Sequence, residues 1–233
     1  MSIRILFLCC LWLNQIAAQT NALPRLEFKA LYDNHNLQLD TFYKFHEYDS
    51  LKIETLRFYI SGITLKQNNE TVWSESNQAH LIDLSNPPSM QFGLPAANKK
   101  SNTTKAFNQL EFHLGIDSLT NVSGALEGDL DPTKGMYWTW QSGYINLKLE
   151  GVSNLCNTRQ HEFQFHLGGY LAPYSALQRI VIDIPNNDTV EINLDIKACI
   201  EEINLVKENL VMTPGEAAVR IAAIIAKNFK CQP

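Results

Sequence analysis

Apolar and polar residues alternate with a period of two in short runs along the chain. Val190, Ile192, Leu194, Ile196 and Ala198 interleave with Glu191, Asn193, Asp195 and Lys197, the pattern of a strand buried on one face. Ile180, Ile182 and Ile184 repeat the pattern, as do Ile145, Leu147 and Leu149. Leu56, Phe58 and Ile60 make a further run that Ser61-Gly62 is expected to close. Turn-rich segments separate these runs: Gln67 to Glu70, Asn86-Pro87-Pro88, Ala96 to Thr104 and Asp129 to Gly135. Many short strands with such punctuation predict a mainly β protein, an antiparallel β-sandwich with Greek-key connections. The tail changes period. Thr213-Pro214-Gly215-Glu216 offers a capping threonine, a proline at the first helical position and a glutamate at the third. Ala217, Ile221, Ile224, Ile225 and Phe229 then follow helical spacing, predicting a C-terminal amphipathic helix with Lys227 and Lys230 near its end.

The first residues have another character. Arg4, the apolar stretch Ile5 to Leu13, and small residues at Ala17 and Ala18 form a secretory signal peptide, with cleavage near Ala18 or Gln19. Nine apolar residues are too few to span a bilayer. Residues 1–18 are therefore read as a leader and residues 19–233 as one domain, periplasmic or exposed at the cell surface. Of the full 233 residues 45% are apolar and 18% charged, an ordinary globular composition. Removing Arg4 with the leader leaves 18 bases against 24 acids. An acidic balance excludes the basic footprint of a nucleic-acid binder. Cys9 and Cys10 leave with the leader, and Cys156, Cys199 and Cys231 remain, of which two can pair in an oxidising compartment. Their spacing matches no zinc framework. Sequons stand at Asn69, Asn102, Asn121 and Asn187.

Signatures of common enzymes are missing: there is no P-loop, no G-x-G-x-x-G and no G-x-S-x-G. His161-Glu162 with His166 has a spacing of five where a zinc-protease helix needs four, and the alternating Phe163, Phe165 and Leu167 mark a strand. An internal echo is more informative. Leu110-Glu111-Phe112-His113-Leu114-Gly115 resembles Phe163-Gln164-Phe165-His166-Leu167-Gly168. Each places a histidine opposite the apolar face, ahead of a glycine. Two imidazoles in one phase either converge on a metal or each sit on a polar face. His80, with Asp83 nearby, is a third candidate, whereas His35, His46 and His161 lie among polar residues. Asp129 and Asp131 read as a turn before a strand, with too few companions for a calcium loop. Met136, Trp138 and Trp140 share one strand face, as core or as a platform for stacking on a sugar.

The stretch Gly128 to Gly151, GDLDPTKGMYWTWQSGYINLKLEG, closely resembles the methanobactin-associated copper-binding family of MbnP-like domains. Phe58-Tyr59-Ile60-Ser61-Gly62, His80-Leu81-Ile82-Asp83, Leu114-Gly115-Ile116-Asp117, Phe165-His166-Leu167-Gly168-Gly169 and Met212-Thr213-Pro214-Gly215 fit the same family. The resemblance runs from about Leu26 to Phe229. It implies a periplasmic or surface-exposed β-sandwich that binds copper. In some relatives a tryptophan is oxidised to kynurenine by a diheme partner of the cytochrome-c-peroxidase type and joins histidines around the metal. On this sequence the implied metal ligands are His80 and His166, with His113 beside its motif, and the tryptophans open to modification are Trp138 and Trp140. The chain would then be a carrier and a substrate of modification, not an enzyme, since no nucleophile–base pair or carboxylate dyad is evident. Two other readings stand beside it: a carbohydrate- or peptide-binding module using Trp138 and Trp140, and a structural protein with both indoles buried.

Overall fold

The alternating runs become the strands of two sheets facing one another across an apolar core. A computed structural model describes residues 23–95, 106–140 and 143–231. The expected leader at residues 1–18, the turn-rich segment Ala96 to Thr104 with its sequon at Asn102, and the pair Gln141-Ser142 of the long motif lie outside the described residues. The strands in chain order are β1 (Arg25–Tyr32), β2 (His35–Asn36), β3 (Phe42–Lys44), β4 (Ser50–Gln67), β5 (Glu70–Ser74), β6 (Ala79–Asp83), β7 (Gln91–Gly93), β8 (Gln109–Leu114), β9 (Tyr137–Trp138), β10 (Gly143–Ser153), β11 (Glu162–Gly168), β12 (Gln178–Asp183), β13 (Thr189–Asp195), β14 (Leu210–Val211) and β15 (Phe229–Cys231). The α-helices are α1 (Ser118–Val122), α2 (Ile196–Glu202) and α3 (Glu216–Ala226). Among the described residues, no helix is long and apolar enough to cross a membrane.

The smaller sheet runs β15-β13-β1-β2, with β7 also on β1. The larger runs β12-β8-β4-β10-β11-β14 and is organised by β4. Phe58 faces both Leu147 and Ile82, and Ile60 faces both His80 and Leu114. A residue has one neighbour on each edge, so β10 and β8 follow one another along one edge of β4. Lys52 and Thr64 are shared in the same way, which puts β3, β6 and β5 in succession on the other edge. Strands β11 and β12 flank β10 and β8 on the edge of β4 that those two share, helix α3 packs on both, and the large sheet curls as a half-barrel. The fold is mainly β, as the alternation predicts. The sheets are mixed, however: β1 pairs with β13 and β11 with β14 in parallel.

Three local expectations are revised. Strand β4 does not stop at Ser61-Gly62 but continues to Gln67, because Gly62 adopts φ +62° and forms a bulge between Ser61 and Thr64. The alternation ending in Ile196 and Ala198 stops as a strand at Asp195, whose carboxylate accepts the Ala198 N–H and caps α2. At the tail, Gly215 is the N-cap in place of Thr213, and Phe229 lies in β15 beyond the helix. There Phe229 fills the core, with ring centroids 5.7 Å from Phe58 and 5.6 Å from Phe112.

The inner faces bury Leu26, Phe28, Phe58, Phe112, Phe163, Phe165 and Ile192, and α3 adds Ile221 and Ile225. A second, smaller core lies on the outer face of the large sheet. It consists of Tyr59, Leu81, Ile116, Met136, Trp138, Tyr144 and Ile145.

Candidate functional site

The second core exists because the long motif folds back over the sheet as a strap. Short 3₁₀ turns at Gly128–Leu130 and Pro132–Lys134 carry the chain across, and β9 then pairs with the start of β10. Its polar groups are occupied in holding it there. Tyr59 donates its hydroxyl to the Asp129 carbonyl at 3.0 Å, and the Asp129 carboxylate accepts the Leu81 N–H at 3.0 Å and the Lys134 ammonium at 2.6 Å. Lys148 donates to the Gly135 carbonyl at 2.8 Å and Arg57 to the Lys134 carbonyl at 3.3 Å. Asp131 accepts the Thr133 N–H. These two aspartates are therefore turn-forming groups, as their spacing predicts.

The tryptophans part company. Trp138 is buried, whereas Trp140 is 62% exposed, with ring centroids 5.6 Å apart. Trp138 therefore cannot join Trp140 in a paired exposed platform for a sugar. Met136 is wholly buried in the strap.

Directly opposed residues share a sheet face, so the register places each histidine. His80 opposes Ile60 and projects inward. Its ring stacks on Phe92 at 3.9 Å, and Nε2 lies 3.0 Å from both oxygens of the buried Glu75 carboxylate. His113 opposes Ser61 on the outer face and lies over Gly62, where a Cβ would stand 2.6 Å from its Nδ1. His166 opposes Lys148, which opposes Arg57, which opposes Asp83, all on the outer face. His80 and His166 thus stand on opposite faces and three strands apart, about 14 Å sideways at ~4.8 Å per strand. His113 lies at the level of Ser61 and His166 at that of Arg57, about 13 Å along β4. The bonding nitrogens of two imidazoles on one metal are at most about 4 Å apart. The fold does not bring these three together. Among the described residues no group of three or more His, Cys, Asp or Glu side chains is placed to hold a metal ion.

What the fold does place on the same face as His166, over the position two residues along, is Trp138. Gly168 is two residues along from His166 on the same face, and a Cβ there would lie 2.6 Å from Cζ3 of Trp138. The indole rests on that glycine. His166 is buried, with Nε2 2.5 Å from Glu150 Oε1. Burial pushes the imidazole pKa down, outweighing the bond to Glu150. Burial alone would raise Glu150, but the hydrogen bonds from His166 and Thr55 bring it below the usual carboxylate value. A neutral ring donating Nε2–H to an ionised carboxylate satisfies both shifts and leaves the Nδ1 lone pair for a metal. Glu150 carries no signal along the chain; its i, j±2 relation to His166 across β10 and β11 emerges only with the register.

Of the remaining cysteines, Cys156 and Cys199 are buried free thiols; burial raises both, Cys156 to about 11. The Asn121 sequon is 2% exposed and its amide is fully engaged, whereas Asn69 and Asn187 are exposed.

Comparison with known proteins agrees with this frame. A solved structure, MbnP from Methylosinus trichosporium, superposes with a TM-score of 0.56 over 84% of this chain and 81% of that one, at 16% identity, which establishes a common fold. No curated protein matches the chain. The family model for MbnP matches residues 21–214, a stretch that runs from before β1 through the strap and His166 to the residue ahead of Gly215. By that match this chain belongs to the MbnP family.

Proposed function

We propose that this chain is an exported, histidine-ligated copper-binding protein whose metal centre is built on His166 beside Trp138. Membership of a methanobactin-associated family suggests a role connected with copper. The observation that carries the finer reading is the contact of Trp138 with Gly168, two residues from His166 on one face. His166 supplies a neutral imidazole, suited to copper, and Glu150 orients it from behind. As it stands the donor set is short, an imidazole and its carboxylate partner. An indole is a poor ligand, but an oxidised, kynurenine-type side chain at Trp138 carries an amine and a ketone and would complete the set. Copper, when bound, would supply a redox-active centre; the chain's own residues hold and shield it. Trp140, exposed and next to Trp138, is where a diheme partner enzyme would reach the indoles. On this reading the protein is a carrier and the substrate of that oxidation, without turnover of its own.

The test is metal analysis with intact mass on protein taken from its native compartment. The expected result is about one copper per chain, an added mass confined to a peptide holding Trp138, and loss of copper in His166→Ala with retention in His80→Ala. An unmodified chain that also refuses Cu(I) would sink the proposal, and loss in His80→Ala alone would move the centre to Glu75 and His80.

A further inference from the structure

Strand β12 ends the large sheet, and among the described residues no strand pairs with its outer edge. Which of its backbone groups face that edge follows from one bond. The Ile184 N–H donates to the Asn108 carbonyl at 2.9 Å, so Ile184 points toward β8. Backbone direction alternates along a strand, so Ile182, Ile180 and Gln178 also point to β8, opposite Leu110, Phe112 and Leu114. The N–H and C=O groups of Arg179, Val181 and Asp183 therefore point outward. The side chains of these three residues lie on the outer face and are exposed, Val181 at 42%.

We propose that β12 is a self-complementary docking edge, and that its partner is β12 of a second copy of this chain, joined antiparallel about a two-fold axis. Hydrogen bonding allows only registers in which outward-facing residues oppose one another. Centred on Val181, the register sets Val181 against Val181, and Arg179 against Asp183 of the other copy, twice. All three N–H and all three C=O groups are then used, and opposite charges meet. A shift of two residues in either direction leaves one outward residue unpaired and sets a charge against valine. A shift of four sets arginine against arginine or aspartate against aspartate. Both the backbone and the charges select the same register, and a two-fold interface requires just such self-complementarity.

The surroundings admit the second strand. An open cleft of about 310 Å³ runs along residues 178–182, walled by Ala223, Ala226, Lys227 and Phe229. Cross-strand partners share a face, so the incoming Ile180 and Ile182 would point inward, toward the small side chains of Ala223 and Ala226. Arg179 already holds Glu111 through two nitrogens, at 2.8 and 2.6 Å. Its guanidinium has further N–H donors for the opposing Asp183. The uncovered edge carries none of the usual protection except one arginine and one aspartate, and in the dimer these become attractive. The large sheet would continue through the axis as β8-β12-β12-β8. This inference does not depend on the copper reading.

Sedimentation equilibrium of the mature chain tests it. The expected result is a reversible, concentration-dependent dimer. Val181→Pro removes only an outward N–H, a place where an edge strand accepts proline, and should leave a monomer with unchanged thermal unfolding. Arg179→Asp sets like charges opposite one another and should weaken association about tenfold. The double variant Arg179→Asp/Asp183→Arg should restore it. The rescue is read in the association constant and not in stability, because Glu111 opposes Val181 and lies diagonal to positions 179 and 183 alike. A parent protein that stays monomeric up to about 1 mM, a dimer that survives Val181→Pro, or a charge swap that restores nothing would overturn the proposal.

Discussion

Gly168→Ala is the most searching perturbation of the candidate centre, because it changes neither the imidazole nor the indole. A Cβ at this position would stand 2.6 Å from Trp138 Cζ3, 3.0 Å from Cη2 and 2.7 Å from the Tyr144 carbonyl oxygen. Ordinary contact begins near 3.4 Å, so the ring must retreat by nearly an ångström, and β10 must give as well. Gly168 is not among the residues with positive φ, so the cost is steric and not conformational. Overpacking of this kind costs about 1–3 kcal/mol, and the reduced freedom of the unfolded chain offsets about 0.4–1 kcal/mol of it. A net loss of about 1–2 kcal/mol is expected from urea denaturation, with a changed near-ultraviolet signal from the indoles. In a Trp138→Phe background, where the outer ring atoms are gone, the penalty should shrink by about 1 kcal/mol through coupling between the two sites. Copper retention should fall with Gly168→Ala, since the displaced ring no longer stands beside His166. A stability within about 0.5 kcal/mol of the parent, with an unchanged indole spectrum, would refute the contact and with it the centre.

Two further outcomes are expected. Asn121→Ala should cost at least about 2 kcal/mol in the same denaturation assay: the buried amide donates to the Ile116 and Asp117 carbonyls and accepts the Tyr144 N–H, which would be left unpaired; a loss under about 0.5 kcal/mol would contradict this. Acid should destabilise the fold in two stages. His166 is lowered chiefly by burial, so the unfolded chain takes up its proton first and stability declines as pH falls below about 6.5. Glu150 and Glu111 follow below their ordinary values; Glu111 is lowered by its hydrogen bond from Arg179 to about 2, so its contribution disappears between about pH 4.5 and 2. Denaturant midpoints at pH 7, 5.5 and 4 should fall in order, and a flat profile would exclude all three contributions.

Much of the framework is legible in the chain. Leu147 and Leu149 mark the inner face of β10, and Ile180 with Ile182 marks β12, because burying one face of a strand demands a period of two, although a bulge turns Ile145 into the outer core. The same period misleads at Ile196 and Ala198, where one capping aspartate turns the chain into a helix without breaking the alternation. It misleads again at Gly62, where a glycine that looks like a terminator absorbs a bulge in an unbroken strand. The tail helix is legible in type and not in its ends: Phe229 satisfies helical spacing, yet pairing of β15 with β13 carries it into the core.

The sequence by itself determined that this is a β protein with a tail helix, that the stretch around Trp138 is distinctive, and that His166 stands opposite an apolar strand face. Those properties are local, set by side-chain period, turn chemistry and short motifs. Which histidines can meet was decided only by tertiary structure. In-phase histidines on two strands look equivalent along the chain, but inter-strand register fixes face and distance, and it sends His80 inward and leaves His113 far from His166. The strap over the outer face, the rest of Trp138 on Gly168, the Glu150 partner and the open edge of β12 all depend on contacts between residues distant in sequence. Period along a chain records which face a residue belongs to, and only the pairing of strands records what stands beside it.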